Sequence, residues 1–334
     1  MKRQIFAFIC FVCIFAANLY GETNGYFSFD YLKGQKNGVS DGMFHHVKVG
    51  LIFSGELSTN VHYTVEIRGG QEFQFEIDQA LLELNPSPKF QTKLGLYLVP
   101  FGKYNQSSLP HQTRLINLPL SVEFMYPYRW RDIGILMQGR FQSFAYSLYL
   151  GNGLSESHQL DQGQQFRDNN ANKGKGGRVS LKLSQGLEIG YSHYRGKYDA
   201  ENTRNMMLHC LDLTWDSSGF QILTELSRAR MENPEDYAQG QAQGYFVQAS
   251  FAWGSFYPVV SFQRIDYEDP YHGSGFVDPG PPGSGISKEK NRWCLGVVYF
   301  IQKNILLKLE YDWNKIKGNQ EDNHSLKLQM ALSF

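Results

Sequence analysis

The chain ends on a strict alternation. In His324 to Phe334, Leu326, Leu328, Met330, Leu332 and Phe334 are apolar, and Lys327, Gln329, Ala331 and Ser333 stand between them. A period of two puts one set on each face of a strand. The same period recurs upstream. Val61, Tyr63, Val65 and Ile67 alternate with His62, Thr64, Glu66 and Arg68; Ile305, Leu307, Leu309, Tyr311 and Trp313 alternate with Leu306, Lys308, Glu310 and Asp312. The pattern predicts sixteen short strands: 25–32, 43–53, 61–68, 74–84, 93–99, 132–140, 142–150, 178–183, 187–194, 205–215, 220–227, 245–253, 256–264, 292–301, 305–313 and 326–334.

Connection lengths sort by parity. Every second connection is short: 54–60, 85–90, 140–141, 184–186, 216–219, 254–255 and 302–304. The others include 100–131, 151–177, 228–244, 265–291 and 314–323. Short turns at one end and long loops at the other are the asymmetry of a transmembrane β-barrel, which crosses with strands of roughly 9–11 residues. In hydrocarbon only a closed sheet pairs all its backbone groups. The fold expected is therefore an all-β, closed antiparallel barrel of sixteen strands, over residues 22–334, in the outer membrane of a Gram-negative-type bacterium.

The N-terminus fits that destination. Lys2 and Arg3 precede an apolar run from Ile5 to Ala17, then small residues up to Gly21. This is an export signal, with cleavage expected after Gly21 or Ala17. Cys210 and Cys294 remain beyond it, too few for a disulfide framework. Lys plus Arg and Asp plus Glu stand at 32 each, which gives no electrostatic case for nucleic acid as a partner. The 20 Tyr and 24 Phe suit a barrel whose membrane band hides in alternation.

Faces follow from parity. Tyr245, Val247, Ala249, Phe251 and Trp253 face lipid, as do Trp293, Leu295, Val297 and Tyr299, with Tyr or Trp at the run ends as an interfacial girdle. The opposite faces line the lumen. They carry Lys48, Arg68, Arg140, Arg178, Lys182, Arg292, Lys308 and Lys327 against Glu66, Glu76, Asp78, Glu188, Asp212, Glu225, Glu310 and Asp312, a balanced wall. No metal or cofactor is expected.

The connection 99–131 is too apolar for a disordered loop. It holds Phe101, Tyr104, Leu115, Phe124, Tyr126 and Trp130, and is expected to fold into the barrel and narrow it. His111, Arg114, Arg129 and Arg131 are the candidates for the constriction.

Several short motifs then line up in order: Val99-Pro100-Phe101-Gly102, Tyr126-Pro127, Asp132-Ile133-Gly134 with Gly139, Tyr149-Leu150-Gly151-Asn152-Gly153, and Gly177-Arg178-Val179. This order resembles the phosphate-selective porin O and P family, over about Phe75 to Tyr194 in detail. The resemblance implies a sixteen-stranded outer-membrane channel, often a homotrimer, with anions such as phosphate among its solutes. It also implies that Phe334 is the signal read by the barrel-assembly machinery. Passive diffusion of small hydrophilic solutes or ions is the leading function. A structural or adhesion barrel plugged by its own loops is the alternative, and a barrel-embedded hydrolase the remote one, since no Gly-x-Ser-x-Gly occurs.

Overall fold

In a computed structural model the chain is described over residues 21–34, 40–70, 74–87, 89–157, 160–232, 240–267, 289–317 and 323–334. The expected export signal, Gly21 apart, lies outside these residues, as does most of the long loop 265–291. The strands are β1 (Gly21–Gly34), β2 (Met43–Ser58), β3 (Val61–Gly69), β4 (Phe75–Ser87), β5 (Phe90–Leu98), β6 (Arg131–Phe141), β7 (Phe144–Gly151) and β8 (Gly174–Ser184). They continue as β9 (Leu187–Lys197), β10 (Asn205–Ser217), β11 (Phe220–Met231), β12 (Gly240–Phe251), β13 (Phe256–Tyr267), β14 (Lys290–Gln302), β15 (Ile305–Ile316) and β16 (Asn323–Ser333). Each pairs antiparallel with its sequence neighbours, and β1 closes on β16. The sixteen-stranded closed barrel is the expected fold.

Several strands run past the ends that alternation predicts, mainly toward the long loops. β12 begins at Gly240, not Tyr245, because Gly-Gln-Ala-Gln-Gly continues the ladder above the apolar band and so carries no outward apolar residue to mark it. Trp253, expected inside that strand, lies past its end and makes an isolated bridge with Phe256.

Outward positions are apolar and uncovered: Val247, Phe251, Trp293, Leu295, Leu307, Leu309 and Leu328 are each more than 40% exposed. Their neighbours Phe246, Cys294, Leu306 and Glu310 point inward and are at 2% or less. Cys210 and Cys294 are free thiols within it.

The seam that closes the barrel is at the C-terminus. Tyr26 pairs with Ser333 and the register runs to Gly34 with Ser325. Beyond the last strand residue, Gly25 N donates to Phe334 O (2.8 Å) and Phe334 N to Gly25 O (3.0 Å). A Cβ on Gly25 would fall 2.4 Å from the Phe334 ring, so glycine lets the terminal aromatic lie flat on the first strand. Gly25→Val is therefore expected to displace the ring and lower the yield of folded, heat-modifiable barrel on gels; an unchanged yield would show that this contact is dispensable.

Candidate functional site: the inner loop and the cavities it leaves

Val99 to Trp130 leave β5 and return at β6, yet this one segment touches strands all around the barrel. Gly102 N donates to Ser192 Oγ of β9 (3.0 Å) and Tyr104 N to Glu225 of β11 (2.6 Å). Leu120 N donates to Gln263 of β13 (3.1 Å), and Arg292 of β14 pairs with Glu123 (3.1 Å). Lys308 of β15 donates to Pro110 O (2.6 Å), Lys327 of β16 to Asn117, and the His111 ring packs on Tyr26 of β1 (5.8 Å). A segment that meets both sides of a closed barrel must cross its interior.

Its composition explains why it goes in. Phe101, Tyr104, Leu120, Val122, Met125, Tyr126 and Trp130 are buried with inward Met206, Leu208, Ala242, Phe246 and Ile265 in one apolar cluster; Leu115 seats in a second with Val259, Val298 and Leu306. These inward apolar positions were not anticipated by the reading of a wet, charged lumen. Each fully buried side chain of this size contributes roughly 1.5–3 kcal/mol. A short helix, α1 (Leu120–Met125), lies against β11, β12 and β13. Gly244 makes room for it, since a Cβ there would come 2.9 Å from Ser121 Cβ.

Polar anchors complete the docking. The Asn105 side chain ties the two legs together, donating to Val99 O (2.8 Å) and accepting from Trp130 N (2.8 Å). Glu225 and Glu310 turn their carboxylates onto loop backbone: Glu225 accepts from Tyr104 N, and Glu310 from Ile116 N and Asn117 N. Buried backbone donors need such partners. Gly102 has φ +62°, and a Cβ on it would sit 2.8 Å from the Glu225 carboxylate, so this turn requires glycine.

The four loop residues expected nearest the narrowing have different surroundings. Arg129 is 2% exposed; its Nε meets Asp78 at 2.6 Å and its Nη2 meets Glu66 at 2.7 Å. Arg131 pairs with Asp78 (2.7 Å) and Glu76 (3.1 Å). These two fasten the returning leg to β3 and β4. Arg114 stacks on Tyr257 (4.5 Å) and lines a cavity. His111 is half-buried, with Nδ1 unpartnered.

Burial, with Lys308 and Arg129 adding positive charge, holds the His111 imidazole below its ordinary range. An undocked loop would take up the proton first as pH falls, so docking is strongest above about pH 6.5 and weakens below it. Amide exchange across 109–113, corrected for the intrinsic rate, should quicken between pH 7 and 5, and His111→Gln should flatten that dependence.

Among the described residues, cavities of about 280–350 Å³ lie around the loop. Two lie on the long-loop side: one bounded by His46, Lys48, Arg68, Tyr128 and Gln329, the other by Asp30, His45, Lys48, Glu123 and Lys327. Two lie by the short turns: one with Lys103, Arg114, Asp216 and Gln221, the other with Lys103, Arg140, Arg178 and Glu188. Tyr104 and Thr113 line both the first of the upper pair and the first of the lower.

Of the charges expected on the lumen wall, Lys48, Arg68, Arg140 and Arg178 border these cavities. Glu66, Asp78, Lys308 and Glu310 are covered by the loop, at 2% exposure or less. Glu76 bridges Arg68 and Arg131, and Lys182 is exposed beside the turn to β9. The loop thus engages wall charges of both signs: Glu66, Asp78, Glu225 and Glu310, and also Arg292, Lys308 and Lys327. The cavities keep Lys48, Arg68, Lys103, Arg114, Arg140, Arg178 and Lys327 against Asp30, Glu123, Glu188 and Asp216.

This is the fold of the sixteen-stranded outer-membrane porins. An anion-selective porin from Comamonas acidovorans superposes with a TM-score of 0.68 at 12% identity, over 94% of this chain and 99% of that one. OmpF of Salmonella typhi gives 0.67 at 11%, over 94% and 97%, and the outer-membrane channel DcaP of Acinetobacter baumannii gives 0.63 at 12%, over 94% and 97%. In sequence, an uncharacterized protein of Aquifex aeolicus is 25% identical over 189 residues, 52% of this chain and 43% of that protein. The matched stretch thus spans less than half of that relative. No family model matches the chain.

Proposed function

We propose that the protein is an outer-membrane porin, a passive diffusion channel for small hydrophilic solutes that favours small anions. The observation that carries this reading is the composition of the cavity lining. Lys and Arg outnumber Asp and Glu there by seven to four, with Arg68, Arg178 and Lys103 among the seven paired to Asp78, Asp212 and Glu188. Selectivity in such channels follows from pore width and lining charge, and a cationic lining raises the local concentration of anions. No catalytic group is required. The resemblance to the phosphate-selective family makes phosphate the first anion to try, and its often trimeric assembly makes a homotrimer the expected state; a trimer form is also among the porin-fold structures that superpose on this chain. Phe334, exposed at the seam, would serve as the assembly signal.

The test is a planar bilayer with a KCl gradient. A reversal potential of the sign that chloride permeation gives, with chloride current reduced by added phosphate, supports the reading. Chloride preference without an effect of phosphate keeps the anion channel and removes phosphate. Cation preference overturns it, and an absence of openings from folded protein favours a barrel plugged by its loop.

A further inference from the structure

Behind the inner loop, β14 and β15 bring a thiol and two carboxyls together. Cys294 faces Asp312 across the pair, and Glu310 is the neighbouring inward residue of β15. All three side chains are buried, and one ligand atom from each lies within 4.8 Å of the others. Two carboxylates this close and this dry cannot both stay ionised without a cation or a retained proton. The nearby cations are turned elsewhere. Lys308 donates to Pro110 O (2.6 Å) and Thr113 Oγ1 (2.8 Å), and Lys327 to Asn117 Oδ1. Arg292 donates to Asn314 Oδ1 (2.7 Å), Leu118 O (3.0 Å) and Glu123 (3.1 Å). Among the described residues, neither Glu310 nor Asp312 has a Lys or Arg nitrogen within 4.0 Å.

One acceptor is left open. Asp312 Oδ2 accepts from Asn117 Nδ2 and from Ser325 Oγ (3.3 Å) of β16, whereas Asp312 Oδ1 is buried with no hydrogen-bond partner. With Oδ2 turned to β16, Oδ1 is the oxygen on the β14 side, where Cys294 stands. Gln263 Nε2 donates to the Cys294 sulfur (3.4 Å), and the amides of Ile116 and Asn117 donate to Glu310. Each of the three groups is thus oriented by a neighbour, as metal ligands are. A tetrahedral ion spaces its ligand atoms by roughly 3.3–3.8 Å, so at most about 1.5 Å of closure completes the set.

We propose that Cys294, Glu310 and Asp312 bind one divalent ion of borderline softness, of the Zn²⁺ type, beneath residues 116–117 of the inner loop. Sulfur among the donors selects against Mg²⁺ and Ca²⁺, which take oxygen. On binding, the thiol proton and any carboxyl proton leave to solvent. A thiolate and two carboxylates carry three negative charges; the ion leaves one, with Lys327 and Arg292 at neighbouring inward positions to balance it. Asn117, bonded to Asp312, also borders the cavity lined by His45, Glu123 and Lys327, which gives the ion a route. The inference does not rest on the channel reading, and its assay involves no conduction.

The test uses purified, folded protein without an affinity tag, kept reduced and stripped of metal by chelator. Co²⁺ is added alone, both to folded protein and during refolding into detergent, so that a closed loop cannot hide the site. The wild type should take up Co²⁺ with a thiolate-to-cobalt charge-transfer band in the near ultraviolet. Zn²⁺ should displace it, and Mg²⁺ and Ca²⁺ should not. Loss of a partner that merely orients a ligand costs roughly 10–100-fold in metal affinity. Cys294→Ser should therefore abolish the band and weaken Zn²⁺ binding more than about a hundredfold. Asp312→Asn should weaken Zn²⁺ similarly, both variants being read against heat-modifiable folding on gels. Cys210→Ser, at a buried thiol outside the cluster, should change neither readout. A wild type with no band under either loading would overturn the proposal and leave the carboxyls sharing a proton. So would Cys294→Ser that binds Zn²⁺ as tightly as the wild type. That result would assign the ion to imidazoles such as the outward His193–His209 pair, whose Nδ1 atoms approach to 3.4 Å. If neither variant folds, the wild-type band alone decides.

Discussion

Replacing Arg129 with alanine should release the returning leg of the inner loop and raise single-channel conductance severalfold. Among the described residues, Arg129 is the side chain that joins Glu66 on β3 to Asp78 on β4, through contacts of 2.7 and 2.6 Å at 2% exposure. Removing one partner of a buried pair leaves a charge without compensation, at a cost of about 3–5 kcal/mol. Asp78 would still hold Arg68 and Arg131, and Glu66 would keep Gln79 at 2.7 Å. The barrel's backbone ladder does not pass through Arg129, so the least costly relief is for the loop to lift. Arg129→Lys should lie between, because an ammonium cannot fork across two carboxylates as a guanidinium does. Conductance and limited proteolysis of the loop would check this; no change in either would place the loop's anchorage elsewhere, in the Glu225, Glu310 and Asn105 contacts.

The second large effect is on selectivity. Lys103 borders both cavities beside the short turns and reaches Glu188 at 3.3 Å, while Arg114 lies over Tyr257 on the same side. Exchanging both for glutamate changes the cavity lining from seven Lys and Arg against four acids to five against six. The reversal potential in a KCl gradient should then collapse or change sign. Their side chains hold the loop to the wall only through the Glu188 pair and the Tyr257 and Phe300 rings, so the yield of folded channels is measured beside the reversal potential. An unaltered reversal potential would mean that these cavities do not carry the ions.

Much of the barrel could be read from the chain because the bilayer imposes a rule on every outward position. Ile305 to Trp313 and Leu326 to Phe334 announce themselves by period two, and the parity of connection lengths orients them. The inward course of the segment after β5 was legible from its aromatics. What could not be read is which strand each loop group would meet. Glu225 and Tyr104 are 121 residues apart, and Glu310 and Ile116 are 194 apart. Only closure and strand stagger bring them together. For that reason Arg129 at the end of the loop and Arg131, which the structure makes the first residue of β6, could not be told from Arg114 by sequence: the first two meet acids of β4, and the third meets aromatic faces of β13 and β14. The same limit hid the apolar seat made by Met206, Leu208 and Phe246, whose inward placement runs against the expectation of a polar lumen. The His193–His209 pair depends on register in the same way.

We propose that solutes pass between wall and loop, through the cavities whose linings share Tyr104 and Thr113. Thiol accessibility at Thr113→Cys tests it most directly, because the native Cys210 and Cys294 are fully buried and should stay silent. Small charged methanethiosulfonates would be applied to single channels from either side. The predicted result is reaction from both sides, a stepwise fall in current, and faster reaction of the anionic reagent than of the cationic one. Reagent that reaches the cysteine from one side only, or modification that leaves the current unchanged, would contradict it.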